Sequence, residues 1–144
     1  MQQIDASVGE VSSLECLDAL KNNPETYLID VRSPEEWQET GVVDLSSFGK
    51  ESKLISWIFY VPHVHTNNNF LDELNAEVPN KQANLFFICK SGGRSLKAAT
   101  AAAQAGYGKC YNVNDGFVGN MFDDNLNSLS LNGWINNNLP WRKL

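Results

Sequence analysis

The chain has 144 residues, 42% of them hydrophobic, and a formal net charge of -6. That length supports one domain with its own core and is short for two, and the acidic balance argues against a nucleic-acid surface, which relies on clustered Lys and Arg. No window approaches the apolar length of a membrane span, and Met1-Gln2-Gln3-Ile4-Asp5 lacks the basic and apolar regions of a secretion signal, so the expectation is a soluble cytoplasmic protein with no membrane association.

Residues 1–8 read as an N-terminal extension and 9–144 as a single domain. Gly9-Glu10-Val11 predicts a short first strand. Ser12-Ser13-Leu14-Glu15 has the form of a capping box and opens a helix reaching about Asn22. Residues 27–31 predict a buried strand ending at Arg32. Ser33-Pro34-Glu35-Glu36 combines an N-cap, a proline at the first helical position and acidic residues in the first turn, and this helix stops near Gly41. Residues 54–60, rich in β-branched and aromatic types, predict a third strand. Phe70, Leu71 and Leu74 have helical spacing after the polar run Asn67 to Asn69.

The apolar run Leu85-Phe86-Phe87-Ile88 predicts the next strand, an alanine-rich helix follows over 95–105 with Gly106 as its cap, and 110–113 gives the last strand. Residues 120–132, rich in Asn, Asp and Ser, predict a long surface loop, with a closing helix near Trp134. Repeated strand-helix units of this length imply an α/β fold: a central, mainly parallel sheet with helices on both faces and the ligand at the carboxyl ends of the strands.

At one such end stands Cys89, followed by Lys90, Ser91, Gly92, Gly93, Arg94 and Ser95. A thiol carried by a buried strand to the mouth of a helix meets unpaired N–H donors and the positive end of the helix dipole, which favour an anionic sulfur. Gly92 and Gly93 can take the positive φ angles that turn successive N–H groups inward as a cradle for an anion. Lys90 and Arg94 add two local cations. Cys89 is therefore the candidate nucleophile, and Lys90 to Ser95 the candidate substrate-binding loop.

This segment resembles the active-site loop of single-domain rhodaneses. Leu28-Ile29-Asp30-Val31-Arg32-Ser33-Pro34-Glu35-Glu36-Trp37 resembles their early strand-to-helix signature, and Gly116-Phe117 with Asn132-Gly133-Trp134 and Leu139-Pro140-Trp141-Arg142 resembles their closing segment. The resemblance implies a rhodanese-like fold with a five-stranded sheet and a sulfurtransferase without cofactor or metal. Cys89 would take a sulfane sulfur from a small anionic donor such as thiosulfate, become a persulfide, and pass the sulfur to cyanide, a small thiol or a protein thiol. Asp30 and Arg32 match the family's structural pair beneath the loop. The chain departs from the family at Thr40-Gly41-Val42-Val43-Asp44-Leu45, where many members carry a Gly-His-Ile-Pro-Gly-Ala-type segment. That changes the pocket entrance and with it the substrate.

Other features carry less chemistry. His63-Val64-His65 has no third ligand, which disfavours a metal. Cys16 and Cys110 fall at core positions, and an odd count of three cysteines suggests no disulfide framework. Trp37, Trp57, Trp134 and Trp141 read as core or cover residues. Gly49-Lys50 lacks the earlier glycine of a nucleotide loop, and Gly106-Tyr107-Gly108 lacks the third glycine of a dinucleotide fingerprint. Cysteine phosphatases and arsenate reductases share the strand, cysteine loop and helix plan, but with five residues between Cys and Arg, and here there are four. A non-enzymatic persulfide sensor or interaction module stays open as the alternative.

Overall fold

The computed structural model describes residues 7–119 and 132–144. Its sheet has five parallel strands in the order β1-β8-β7-β2-β4, formed by β1 (Gly9–Val11), β2 (Thr26–Asp30), β4 (Lys53–Leu54), β7 (Asn84–Ile88) and β8 (Lys109–Val113). Four helices connect them: α1 (Ser13–Asn22), α2 (Pro34–Thr40), α3 (Phe70–Glu77) and α4 (Gly93–Gln104). Short antiparallel ladders join β3 (Val42–Val43) to β9 (Trp141–Arg142), and β5 (Ile58–Phe59) to β6 (His65–Thr66).

Alternation along the strands sorts the core into two layers. Ile29, Leu85 and Phe87 face one side, against Phe70 and Leu74 of α3 and Ala98, Ala99, Ala102 and Ala103 of α4. Leu28, Phe86 and Ile88 face the other, against Cys16, Leu17 and Leu20 of α1 and the buried Phe117 and Trp134. The alanines of α4 keep that helix close to the sheet, so its N-terminus is held at the carboxyl end of β7. Val8, assigned from sequence to the extension, packs against the first layer; residues 1–6 of that extension lie outside the described residues.

The capping signals act as read. Ser12 and Glu15 form a reciprocal capping box on α1, and Ser33 and Glu36 do the same on α2. Gly41 closes α2 at φ 84. Gly106, at φ 108, follows the C-cap Ala105 of α4.

Two expected elements differ. The strand over 54–60 is split, because β2 ends at Asp30 and gives it nothing to pair with beyond the Ile55 N–H to Asp30 and Trp57 N–H to Val31 bonds, both 3.0 Å. The chain then leaves the sheet and makes the β5–β6 hairpin, whose Val61–Pro62 peptide is cis. The closing helix near Trp134 is a single turn. Side-chain amides compete for its carbonyls, Asn136 Nδ2 donating to Asn132 O at 2.9 Å and Asn137 Nδ2 to Gly133 O at 2.8 Å. The loop expected over 120–132 lies outside the described residues save Asn132.

Of the tryptophans, Trp134 is fully buried and Trp57 meets Phe70 edge-on at 5.1 Å, while Trp141 is part exposed over Phe117. No helix among the described residues is long and apolar enough to cross a membrane.

Candidate active site

β7 ends at Ile88, and the next residue, Cys89, is 1% exposed. Two polar groups converge on its sulfur: the Gly92 N–H donates at 3.1 Å, and the Ser95 hydroxyl oxygen lies 3.2 Å away. Gly92 reaches this position at φ 106, a conformation costly for a residue with a Cβ. Gly93 does not share it: positive φ is confined to Gly92 within the loop, and Gly93 is the first helical residue of α4. The cradle expected from two turned glycines is thus one amide and one hydroxyl at the mouth of α4.

The outer side of the loop is fixed by the segment after β8. Phe117 N–H donates to Cys89 O at 2.8 Å, and the Val118 and Gly119 N–H groups donate to Lys90 O at 3.1 and 3.2 Å. Gly116, at φ 71, passes so close to the Lys90 carbonyl that a Cβ there would overlap it. Asp115 anchors this segment in turn, accepting from Ser13 N–H and Oγ at 2.9 and 2.7 Å and from Gly133 N–H at 2.9 Å. These bonds tie the Cys89 and Lys90 carbonyls to the segment after β8.

The two cations behave differently. Lys90 is exposed and makes no ion pair among the described residues. Arg94 is committed to Glu36 through two bonds of 2.6 and 2.8 Å, a planar fork that consumes the donors facing the carboxylate. Burial opposes ionisation of Glu36 and is the largest single influence, yet bonds from Arg94 and Ser33 together outweigh it and hold the carboxyl at about 2. The same pairing raises Arg94 against the cost of its own burial. Expected to be a second free cation, Arg94 instead ties α2 to α4. Its guanidinium lies 5.9 Å from the Tyr60 ring centroid, which brings the β5–β6 hairpin beside the loop.

Asp30 and Arg32 lie beneath, 0% and 1% exposed, joined by an Arg32 NH2 to Asp30 Oδ2 bond of 2.6 Å. Arg32 also donates to Thr40 Oγ1 and to Gly41 O, each at 2.8 Å, and stacks on Phe117 at 4.1 Å. Neither bonds the sulfur, and Arg32 meets the loop's brace at Phe117. Ser91 is exposed at the rim.

Two contributors escaped the sequence reading: Asn112, which accepts from Ser95 at 2.6 Å, and Glu10, which holds Asn112; Glu36 reads from sequence as an acidic first-turn residue and Gly116 as part of the closing match, neither as a support of the loop. The other two cysteines are buried thiols: burial and then Asp115 push Cys16 well up, and burial pushes Cys110 to about 12. His65 Nδ1 contacts His63 O at 2.7 Å on the exposed hairpin, and no group of three or more His, Cys, Asp or Glu able to hold a metal comes together among the described residues. A cleft at the opposite end of the sheet, around Leu20, Thr26 and Lys50, contains no residue of the Cys89 loop. There Lys50 Nζ caps α1 by donating to Leu20 O and Asn23 O at 2.9 and 2.7 Å.

The family model described as the STR4 middle domain matches residues 8–144. The rhodanese domain-containing protein CG4456 of Drosophila melanogaster is 31% identical over 97 residues, covering 67% of this chain and 83% of that protein. Among solved structures, the crystal structure of Rv0390 from M. tuberculosis superposes with a TM-score of 0.81 at 37% identity, covering 96% of this chain and 100% of that one. The solution structure of the polysulfide-sulfur transferase homodimer from Wolinella succinogenes shares the fold, with a TM-score of 0.65 at 21% identity over 95% of this chain and 80% of that one. A cysteine loop at the carboxyl end of a parallel sheet, on a chain matched along nearly its whole length, makes this protein a member of the rhodanese-like family.

Proposed function

We propose that the protein is a sulfurtransferase that carries a sulfane sulfur as a persulfide on Cys89. The observation that carries this reading is the convergence of the Gly92 N–H and the Ser95 hydroxyl on one sulfur at the mouth of α4. Polar hydrogens available around a sulfur stabilise negative charge there and on a second sulfur bonded to it.

In the first step the Cys89 thiolate attacks the outer sulfur of the donor. A new S–S bond forms as the bond to the leaving group breaks, and for thiosulfate the electron pair departs with sulfite. In the second step a thiol, cyanide or protein thiol attacks the outer persulfide sulfur, and Cys89 recovers its electron pair as thiolate. Neither step requires a cofactor, a metal or a strong general acid. Lys90 is the cation left to draw in an anionic donor, since Arg94 is neutralised by Glu36. Burial of Cys89 favours a slender donor presented sulfur first, such as thiosulfate or the polysulfide named for the Wolinella neighbour. A working thiol of this kind fits a reducing, cytoplasmic setting.

Incubation with thiosulfate should add one sulfur to Cys89, seen by mass spectrometry and discharged by cyanide. Cys89→Ser should abolish the addition while leaving the circular dichroism spectrum unchanged. If oxidants modify Cys89 but no donor loads it, the protein is a sensor and the transferase reading fails.

A further inference from the structure

Asn112 lies on β8, 3% exposed, beside the cysteine loop. Its amide nitrogen donates to Glu10 Oε1 at 3.0 Å and to Gly92 O at 3.1 Å. Both partners are acceptors, so the flipped amide would set oxygen against oxygen twice, and Oδ1 is the atom that faces Ser95. The Ser95 oxygen is 2.6 Å from that Oδ1 and 3.2 Å from Cys89 Sγ.

A serine hydroxyl has one proton and two lone pairs. The amide oxygen has no proton to offer, so at this short distance the Ser95 proton points to Asn112, and Ser95 turns a lone pair toward the sulfur. A neutral Cys89 completes the chain by donating its S–H to Ser95. On ionisation the thiol proton leaves to solvent and the sulfur becomes an acceptor. The Ser95 O–H must then rotate from Asn112 to the sulfur, which leaves Asn112 Oδ1 buried without a donor.

We infer that Asn112 is a positioning residue that competes with Cys89 for the single Ser95 proton and so tunes the reactivity of the sulfur. The inference rests on the reading of Cys89 as the reactive sulfur. The charged groups around it are Lys90 in the loop, Arg94 of α4 paired with Glu36 of α2, the mutually paired Asp30 and Arg32 at the end of β2, and Glu10 of β1 acting through Asn112. None of them touches the Ser95 hydroxyl, so the contest is confined to Asn112, Ser95 and the sulfur.

Alkylation of Cys89 by iodoacetamide in the full chain, followed by mass spectrometry across pH, tests this. Asn112→Leu should raise the rate at about pH 7 roughly five- to tenfold and flatten its rise with pH, because the Ser95 proton is then free for the sulfur. In a Ser95→Ala background the same substitution should change the rate by less than about twofold. Glu10→Ala, on an exposed edge away from the core, should accelerate alkylation about two- to threefold through a looser Asn112, again only while Ser95 is present. Unchanged or slower alkylation in both variants, or an acceleration that persists without Ser95, overturns the inference. Alkylation needs no sulfur donor. The expected pattern in a protein that takes no sulfur from thiosulfate would refute the transferase reading alone, and persulfide formation without the pattern would refute only the role of Asn112.

Discussion

Glu36 shows how one side chain can hold two helices beside the Cys89 loop. It accepts from Ser33 N–H and Oγ at 3.1 and 3.0 Å, closing the cap of α2, and from Arg94 on α4. Because its folded-state carboxyl is lowered from 4.5 to about 2, ionisation contributes stability that is fully present above pH 4.5 and is lost as pH falls through about 2. The pair keeps some contact with water, and screening reduces the contribution to about 1–2 kcal/mol. Wild type should therefore exceed Glu36→Gln by about that amount in urea unfolding near neutral pH, and the gap should close between pH 4.5 and about 2. A gap that ignored pH would mean that Glu36 acts through shape alone. The sequence offered Glu36 as an acidic residue of the first turn because helix-start signals are local patterns. Its second partner is 58 residues away, a separation that no local pattern encodes.

At the scale of elements, the cysteine loop and the segment after β8 behave as one unit, and its two kinds of glycine should respond oppositely to the same change. Gly116 is at φ 71 with the Lys90 carbonyl where a Cβ would go, so Gly116→Ala adds left-handed strain and a backbone clash. A loss of about 2–4 kcal/mol is expected. Gly93 begins α4 with no atom within 4 Å of an added Cβ. Gly93→Ala should be neutral or stabilising by up to about 1 kcal/mol, since alanine restricts the unfolded chain and suits a helix. Thermal melts of the two variants decide the matter, and a Gly93→Ala loss as large as that of Gly116→Ala would show that the loop is not built this way. The sequence marked Gly92 and Gly93 alike, because permissiveness is legible in a residue type while its use depends on what lies opposite. The long third strand failed for a related reason: residues 54–60 have strand composition, but a strand needs a neighbour, and β2 stops at Asp30. Elements with caps, alternation or an alanine face were legible because those signals are contained within the element.

For the molecule as a whole, parallel topology sets the site and one buried ion pair locks it. The order β1-β8-β7-β2-β4 puts Cys89 just past the end of the central strand, with β8 to one side and β2 to the other, so Asn112 and Asp30 flank the loop. That much of the α/β plan follows from strand-helix alternation, whereas the meeting of Ser95 with Asn112 depends on the packed register of α4 over β8. Arg32 joins the end of β2, the end of α2 at Thr40 and Gly41, and the brace at Phe117. Removing one member of a fully buried pair strands the other charge, and Arg32→Met should cost about 3–5 kcal/mol, with Asp30→Leu similar. Replacing both at once strands no charge. The double variant should lose less than either single one, about 2 kcal/mol or under, the remainder reflecting the residue 32 N–H and the Gly41 carbonyl deprived of these bonds, while Thr40 keeps its bond to Glu36 O. Urea unfolding of the four proteins gives the coupling directly. Losses that simply add would mean that Asp30 and Arg32 act independently, and that the loop is held by Asp115 and the backbone bonds from Phe117 to Gly119 without help from the pair.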